Sequence, residues 1–115
     1  MSNYIDTSLL RVKMLKEWKT WVQKIAETVK ELVPNVQVYV IGSVVRGDYV
    51  AGSDVDVLVI SPNIPEKMIK RGEIKAEIEE KLNLPYYHPF EIHILRPEEA
   101  KPYLKKIGKY VFKVL

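Results

Sequence analysis

The 115-residue chain contains no cysteine. Disulfides and thiolate chemistry are therefore excluded together. No apolar run approaches the ~20 residues that a bilayer-crossing helix needs, so no membrane span is expected. The stretch from Met1 to Asp6 lacks a basic segment followed by an apolar core, which argues against a secretory leader. These absences give the expectation of a cytoplasmic protein. Long blocks of one charge are also missing: 18 basic and 15 acidic side chains are interspersed, and a net charge of +3 is too mild to argue direct nucleic-acid binding. Glutamine and asparagine are scarce beside lysine and glutamate, a balance that leans toward thermophilic proteins.

What is present is the composition of a folded domain, 47% hydrophobic and 29% charged. A chain of this length is expected to form one domain over residues 1–115 and to bury roughly two-thirds of its unfolded surface. A second domain would then have to come from a partner.

The pattern centres on two β-branched runs. Val36 to Ile41 reads as a buried strand ending at Gly42, and Asp54 to Ile60 as a second strand. Gly42-Ser43 should open a short helix through Val44, Val45 and Arg46. A strand-to-helix turn of this kind aims free backbone N–H groups at one point, and the helix dipole adds partial positive charge, so an anion is favoured there. Glycine permits close approach of a phosphate and Ser43 adds a hydroxyl donor. The bland alternative is a serine that only caps a helix.

Asp54 and Asp56 share one side of the second strand with Leu58 and Ile60, while Val55, Val57 and Val59 line the other. Two carboxylates at i and i+2 repel each other unless a cation lies between them or the strand end is well solvated. Phe90 to Leu95 reads as a third strand with Glu91 and His93 opposite Phe90, Ile92 and Ile94. Glu91 becomes the natural third carboxylate if this strand lies beside the second. His93 reads as a satisfied histidine rather than a ligand, because magnesium-type sites prefer oxygen.

Helices flank these strands. Leu15, Trp18, Val22, Ile25, Val29 and Leu32 recur at steps of three and four, which predicts one long helix from about Thr7 to Val33, N-capped by Asp6, Thr7 or Ser8 and stopped by Pro34. Trp18 and Trp21 are expected in the core and at its margin. Pro65 suits the first position of a helix running to about Leu82, with Ile74, Ile78 and Leu82 as its buried stripe and a possible interruption at Gly72. Its lysines and glutamates read as a solvated face. Asn83 to Pro89 is a loop, Pro97 starts a helix to about Lys106, and Lys109 to Leu115 offers a last strand. Alternating strands and helices predict an α/β (α+β) domain, a small mixed sheet flanked by helices.

Gly42-Ser43, ten residues, then Asp54-Val55-Asp56 is similar to the signature of the DNA polymerase β-like nucleotidyltransferase superfamily. The Gly42-Ser43-Val44-Val45-Arg46-Gly47 run more closely resembles its minimal nucleotidyltransferase (MNT) branch. The resemblance implies a nucleotidyltransferase fold in which Gly42 and Ser43 grip the β,γ-phosphates of a nucleoside triphosphate, with ATP as the expected substrate. It further implies that Asp54, Asp56 and Glu91 hold two Mg²⁺ ions and form the catalytic acids. Arg46 falls on a recurrent family position, as a phosphate contact or as half of a structural ion pair. The family's third acid is usually aspartate, so the extra methylene of Glu91 puts turnover in question.

Members of that branch pair with α-helical HEPN-type proteins as toxin–antitoxin systems. The resemblance therefore implies an assembly in which AMP is transferred from ATP to a hydroxyl of the partner. The alternative is a nucleotide-binding antitoxin that acts by occlusion. Transfer to RNA or to a small antibiotic is disfavoured because no room remains for an extra substrate-gripping domain.

Overall fold

A computed structural model describes residues 6–115; the Met1–Ile5 stretch, read above for a leader, lies outside the described residues. Five helices and four strands follow the chain in the order α1 (Thr7–Lys16), α2 (Trp18–Leu32), β1 (Gln37–Ile41), α3 (Ser43–Arg46), β2 (Val55–Ile60), α4 (Met68–Lys81), β3 (Phe90–Leu95), α5 (Pro97–Ile107) and β4 (Val111–Lys113). The strands form one mixed sheet ordered β3-β2-β1-β4. β1 runs antiparallel to β2 and to β4, and β2 runs parallel to β3. This is the expected α+β domain with a small mixed sheet. Among the described residues no helix is long and apolar enough to cross a membrane.

Strand periodicity divides the core between the two sheet faces. Val38, Val40, Val55, Val57, Val59, Phe90, Ile92 and Ile94 point to one face and pack with Leu15, Trp18, Val22, Ile25 and Val29 of α1 and α2 and with Ile78 of α4. Most of these side chains are fully buried, each contributing about 1.5–3 kcal/mol of transfer free energy. The opposite face buries a smaller set, Ile41, Leu58 and Ile60 against Ala100, with Leu104 and Ile107 of α5 packed around them.

The expected helix over 7–33 is two helices. Glu17 leaves helical geometry at φ −95° and ψ 25°, and Thr20 and Trp21 both donate to its carbonyl, at 3.1 and 3.3 Å. The apolar stripe continues in phase across the break, with Leu15 and Trp18 both buried, which is why periodicity alone reads as one helix. Trp18 is in the core and Trp21 at its edge, as expected. Asp6 is the N-cap, accepting from the N–H of Ser8 at 3.0 Å.

The helix expected from Pro65 begins instead at Met68 and runs unbroken through Gly72. The shift has a cause in Arg71, which is buried within this helix. Its guanidinium donates to the carbonyls of Pro65 at 2.7 Å and Ile94 at 3.2 Å and to Glu99 Oε1 at 2.8 Å. Residues 61–67 are drawn in as a non-helical segment over this arginine, with Ile64 buried in the core. Glu99 also accepts from the N–H of Arg96 at 2.8 Å, a side-chain bond back to the N-cap that fixes the start of α5.

Candidate active site

Positions at the C-terminal end of β1 and the N-terminal ends of β2 and β3 meet at one edge of the sheet. Ile41 pairs with Asp56 across β1 and β2, and Asp56 pairs with Glu91 across β2 and β3. The condition for Glu91 as a third carboxylate, a third strand beside the second, is therefore met. Glu91 is itself steadied by the turn before it, where the N–H of Phe90 donates to His88 Nδ1 at 3.0 Å and His88 Nε2 meets Glu79 Oε2 at 2.7 Å.

Gly42 ends β1 at φ +95° and ψ −158°, a conformation that essentially only glycine adopts. A Cβ at this position would stand 3.1 Å from Asp56 Oδ2. The turn is thus pressed against the carboxylate, and the first N–H groups of α3 open beside it. Ser43 is the first residue of α3, and Gly47, at φ +86°, closes the helix after one turn. Arg46 is exposed and lies 3.4 Å from the Asp48 carboxylate, a loose pair that leaves it available to a ligand.

Asp56, Glu91 and His93 offer donor atoms that all lie within 4.8 Å of one another. His93 Nε2 is 3.2 Å from Asp56 Oδ1 and 4.0 Å from Glu91 Oε1. An ionised carboxylate only accepts, so the imidazole N–H donates to Asp56. This hydrogen bond raises the His93 pKa above its ordinary value; partial burial opposes the rise, and the charges of Asp56 and Glu91 add to it. His93 is satisfied, as expected, but its partner is Asp56, and it belongs to the cluster.

Asp54 does not join this group. It precedes β2 by one residue, and its Oδ1 accepts from Arg11 Nη2 of α1 at 2.6 Å. The three acids anticipated from sequence are therefore brought together as a pair with a histidine, the third being turned to a guanidinium. Two carboxylates and an imidazole are a donor set that fits a divalent cation, the oxygens suiting magnesium and the nitrogen admitting manganese.

A cavity of ≈ 510 Å³ opens over Asp56. Gly42 and Arg46 form one wall, Tyr103, Lys106 and Ile107 of α5 another, and Tyr110 closes the end. The Tyr103 ring lies 6.0 Å from that of His93. Arg11, Tyr103 and Lys106 were not anticipated as site residues. Spacings of three and four along α5 place Tyr103, Lys106 and Ile107 on one face, but only the packing of α5 across the sheet aims that face at the acids. A second hollow, of ≈ 300 Å³ between α1, α2 and the 83–89 loop, is lined by Leu10, Met14 and Trp21 among others and is apart from the acid cluster.

Comparison with known proteins identifies the family and the fold. Residues 22–113 match the nucleotidyltransferase domain model. A provisionally assigned nucleotidyltransferase from Sulfolobus solfataricus superposes with a TM-score of 0.62 at 21% identity, over 98% of this chain and 90% of that one. A toxin–antitoxin crystal structure with AMP-PNP superposes with a TM-score of 0.56 at 18% identity, over 80% of this chain and 70% of that one. At such identities the two likenesses establish the fold. No curated protein sequence matches the chain.

Proposed function

The chain belongs to the nucleotidyltransferase domain family, and from that premise we propose that it is a minimal, magnesium-dependent nucleotidyltransferase that moves AMP from ATP to a hydroxyl of a partner protein. The observation that carries this reading is the Asp56–Glu91–His93 cluster beside the Gly42 turn, whose Asp56 lines a cavity that also presents Arg46 and Lys106. An acid cluster alone would repel a triphosphate. An acid cluster beside free N–H groups and two cationic side chains can accept one once a divalent cation is present.

In the proposed reaction the acceptor hydroxyl oxygen forms a bond to the α-phosphorus of ATP. The bond from that phosphorus to the bridging oxygen breaks, and pyrophosphate leaves. The N–H groups at Ser43 and Val44 and the Ser43 hydroxyl hold the outer phosphates, and Arg46 and Lys106 take up the charge that develops there. Glu91, half-exposed and beside Asp56 on the neighbouring strand, receives the hydroxyl proton. Asp56, with Asp54 and Glu91, would hold the cations, which when bound supply charge neutralisation and acidify the attacking hydroxyl. Tyr103 and Tyr110 offer aromatic faces for the base.

A partner protein supplies the acceptor in this reading. A helical HEPN-type protein, in an antitoxin–toxin assembly, is the partner we propose. The toxin–antitoxin likeness supports this choice at the level of fold. The test is incubation of the purified protein with labelled ATP, Mg²⁺ and the product of its neighbouring gene. Intact mass spectrometry should show one or more AMP units on the partner, lost with Asp56→Asn.

One observation favours a second reading, a nucleotide-binding antitoxin that silences its partner by occlusion. Asp54 is held away from the cluster by Arg11. In that case the Asp56→Asn protein silences the partner as fully as wild type, with no mass added.

A further inference from the structure

The contact between Arg11 and Asp54 joins two parts of the chain that are 43 residues apart. Arg11 projects from α1, which is set off from α2 by the break at Glu17 and buries only Met14 and Leu15. Its guanidinium makes two bonds at the β2 entrance, Nη2 to Asp54 Oδ1 at 2.6 Å and Nη1 to the Ala51 carbonyl at 3.3 Å. The arginine side chain is 21% exposed and that of Asp54 56%. The arginine is thus packed in place while the aspartate is free to turn. Asp54 lies two residues before Asp56, so its side chain starts on the same side of the chain as the cluster it does not join.

We infer that Arg11 is a positioning residue that holds the Asp54 carboxylate outside the Asp56–Glu91–His93 cluster, and that a divalent cation must displace it to recruit Asp54. The inference rests on the proposed cation site and adds to it a competitor built into the chain. A guanidinium and a divalent cation cannot share one exposed carboxylate without mutual repulsion, so the gain from recruiting Asp54 is reduced by the loss of the Arg11 bond. Linkage makes the effect reciprocal: cation binding loosens α1 from the 51–54 loop, and whatever holds Arg11 on Asp54 weakens the cation.

The test is titration of the full chain with Mn²⁺, followed by the paramagnetic signal of the free ion, for wild type, Arg11→Gln, Arg11→Lys, Asp54→Asn, Asp56→Asn and the Arg11→Gln/Asp54→Asn double variant. Removing an ion pair of this exposure should tighten Mn²⁺ binding roughly two- to fivefold. Arg11→Lys, which keeps a charge but not the fork, should fall between, and it carries the test with the same sign if the glutamine variant does not fold. The gain should vanish in the Asp54→Asn background, a result that a merely structural role for Arg11 would not produce. Unchanged or weaker binding in both Arg11 variants, or a gain that survives without Asp54, overturns the inference while leaving the site intact. Binding by Asp56→Asn equal to that of wild type, or no binding by any variant, removes the site itself and the inference with it.

Discussion

Replacing Gly42 by alanine tests the geometry of the site without touching a charge. The residue sits at φ +95° and ψ −158°, and an added Cβ would face Asp56 Oδ2 at 3.1 Å. Holding a side chain in that region of backbone space costs on the order of 1–3 kcal/mol. The close approach adds to it, because Asp56 is fixed on β2 and tied to His93 at 3.2 Å, so relief requires the carboxylate to shift by a few tenths of an ångström. For a domain of this size 1–3 kcal/mol corresponds to roughly 4–12 °C in Tm. Gly72 is the internal control, since its Cβ would meet nothing within 4 Å and it lies inside α4. Gly72→Ala should stabilise by about 0.5–1 kcal/mol. Urea unfolding of both variants, followed by far-ultraviolet circular dichroism, reads the difference. If Gly42→Ala unfolds at the wild-type midpoint, the strained turn against Asp56 is not as described.

Neutralising the cluster should separate chemistry from fold: Asp56→Asn and Glu91→Gln lose nucleotide transfer while the domain unfolds no earlier than wild type, because repulsion between the two acids is relieved. Glu91→Asp should retain transfer, and wild-type rates in Glu91→Gln would remove Glu91 from the reaction. At the N-terminal end of α5, Arg71→Met should cost about 3 kcal/mol, since it deletes three hydrogen bonds from a buried guanidinium and leaves Glu99 without its ion-pair partner. The bonds from the Arg96 N–H and from Arg71 hold the Glu99 pKa below the ordinary glutamate value. A depressed folded-state pKa gives stability that is fully present above the unfolded value and is lost as pH falls through the folded one. Glu99 should therefore leave the urea midpoint unaffected by pH above about 5 and add a falling limb below the ordinary carboxylate range near 4.3, a limb that Glu99→Gln should flatten.

The strands and the turn between the first two were legible because β-branched runs and a Gly-Ser break are local signals. β1, α3 and β2 lie within a residue of where the pattern puts them. Glu91 was legible only conditionally, since alternation assigns it a face but not a neighbour; the parallel pairing of β2 and β3 supplies Asp56. The same limit hid His93, whose partner stands on another strand. Nothing in the sequence marks the break at Glu17, which has neither glycine nor proline beside it and preserves the phase of the apolar stripe. Arg71 was hidden differently. Within a run of lysines and glutamates a buried guanidinium looks like a solvated one, and only the carbonyls of Pro65 and Ile94 and the Glu99 carboxylate distinguish it.

Arg71 and Arg11, neither marked by the sequence as special, have a common consequence for the site. One wall of the cavity is α5, which buries Ala100 alone and carries Pro102, whose missing N–H removes one internal hydrogen bond. So lightly packed a helix needs other anchors. Its N-terminal end is held by the Arg71–Glu99 bond and the bond from the Arg96 N–H to Glu99, and its later turns by Leu104 and Ile107 against Leu58 and Ile60. The wall that presents Tyr103 and Lys106 to the acids is therefore positioned from α4 and from the apolar half of β2. Arg11 acts on the opposite side, where it holds Asp54 from α1. The acids themselves sit on strands whose partners fix them in register. What varies around them is supplied by two helices, each tied to the site through an arginine: directly by Arg11 on Asp54, and through Glu99 by Arg71.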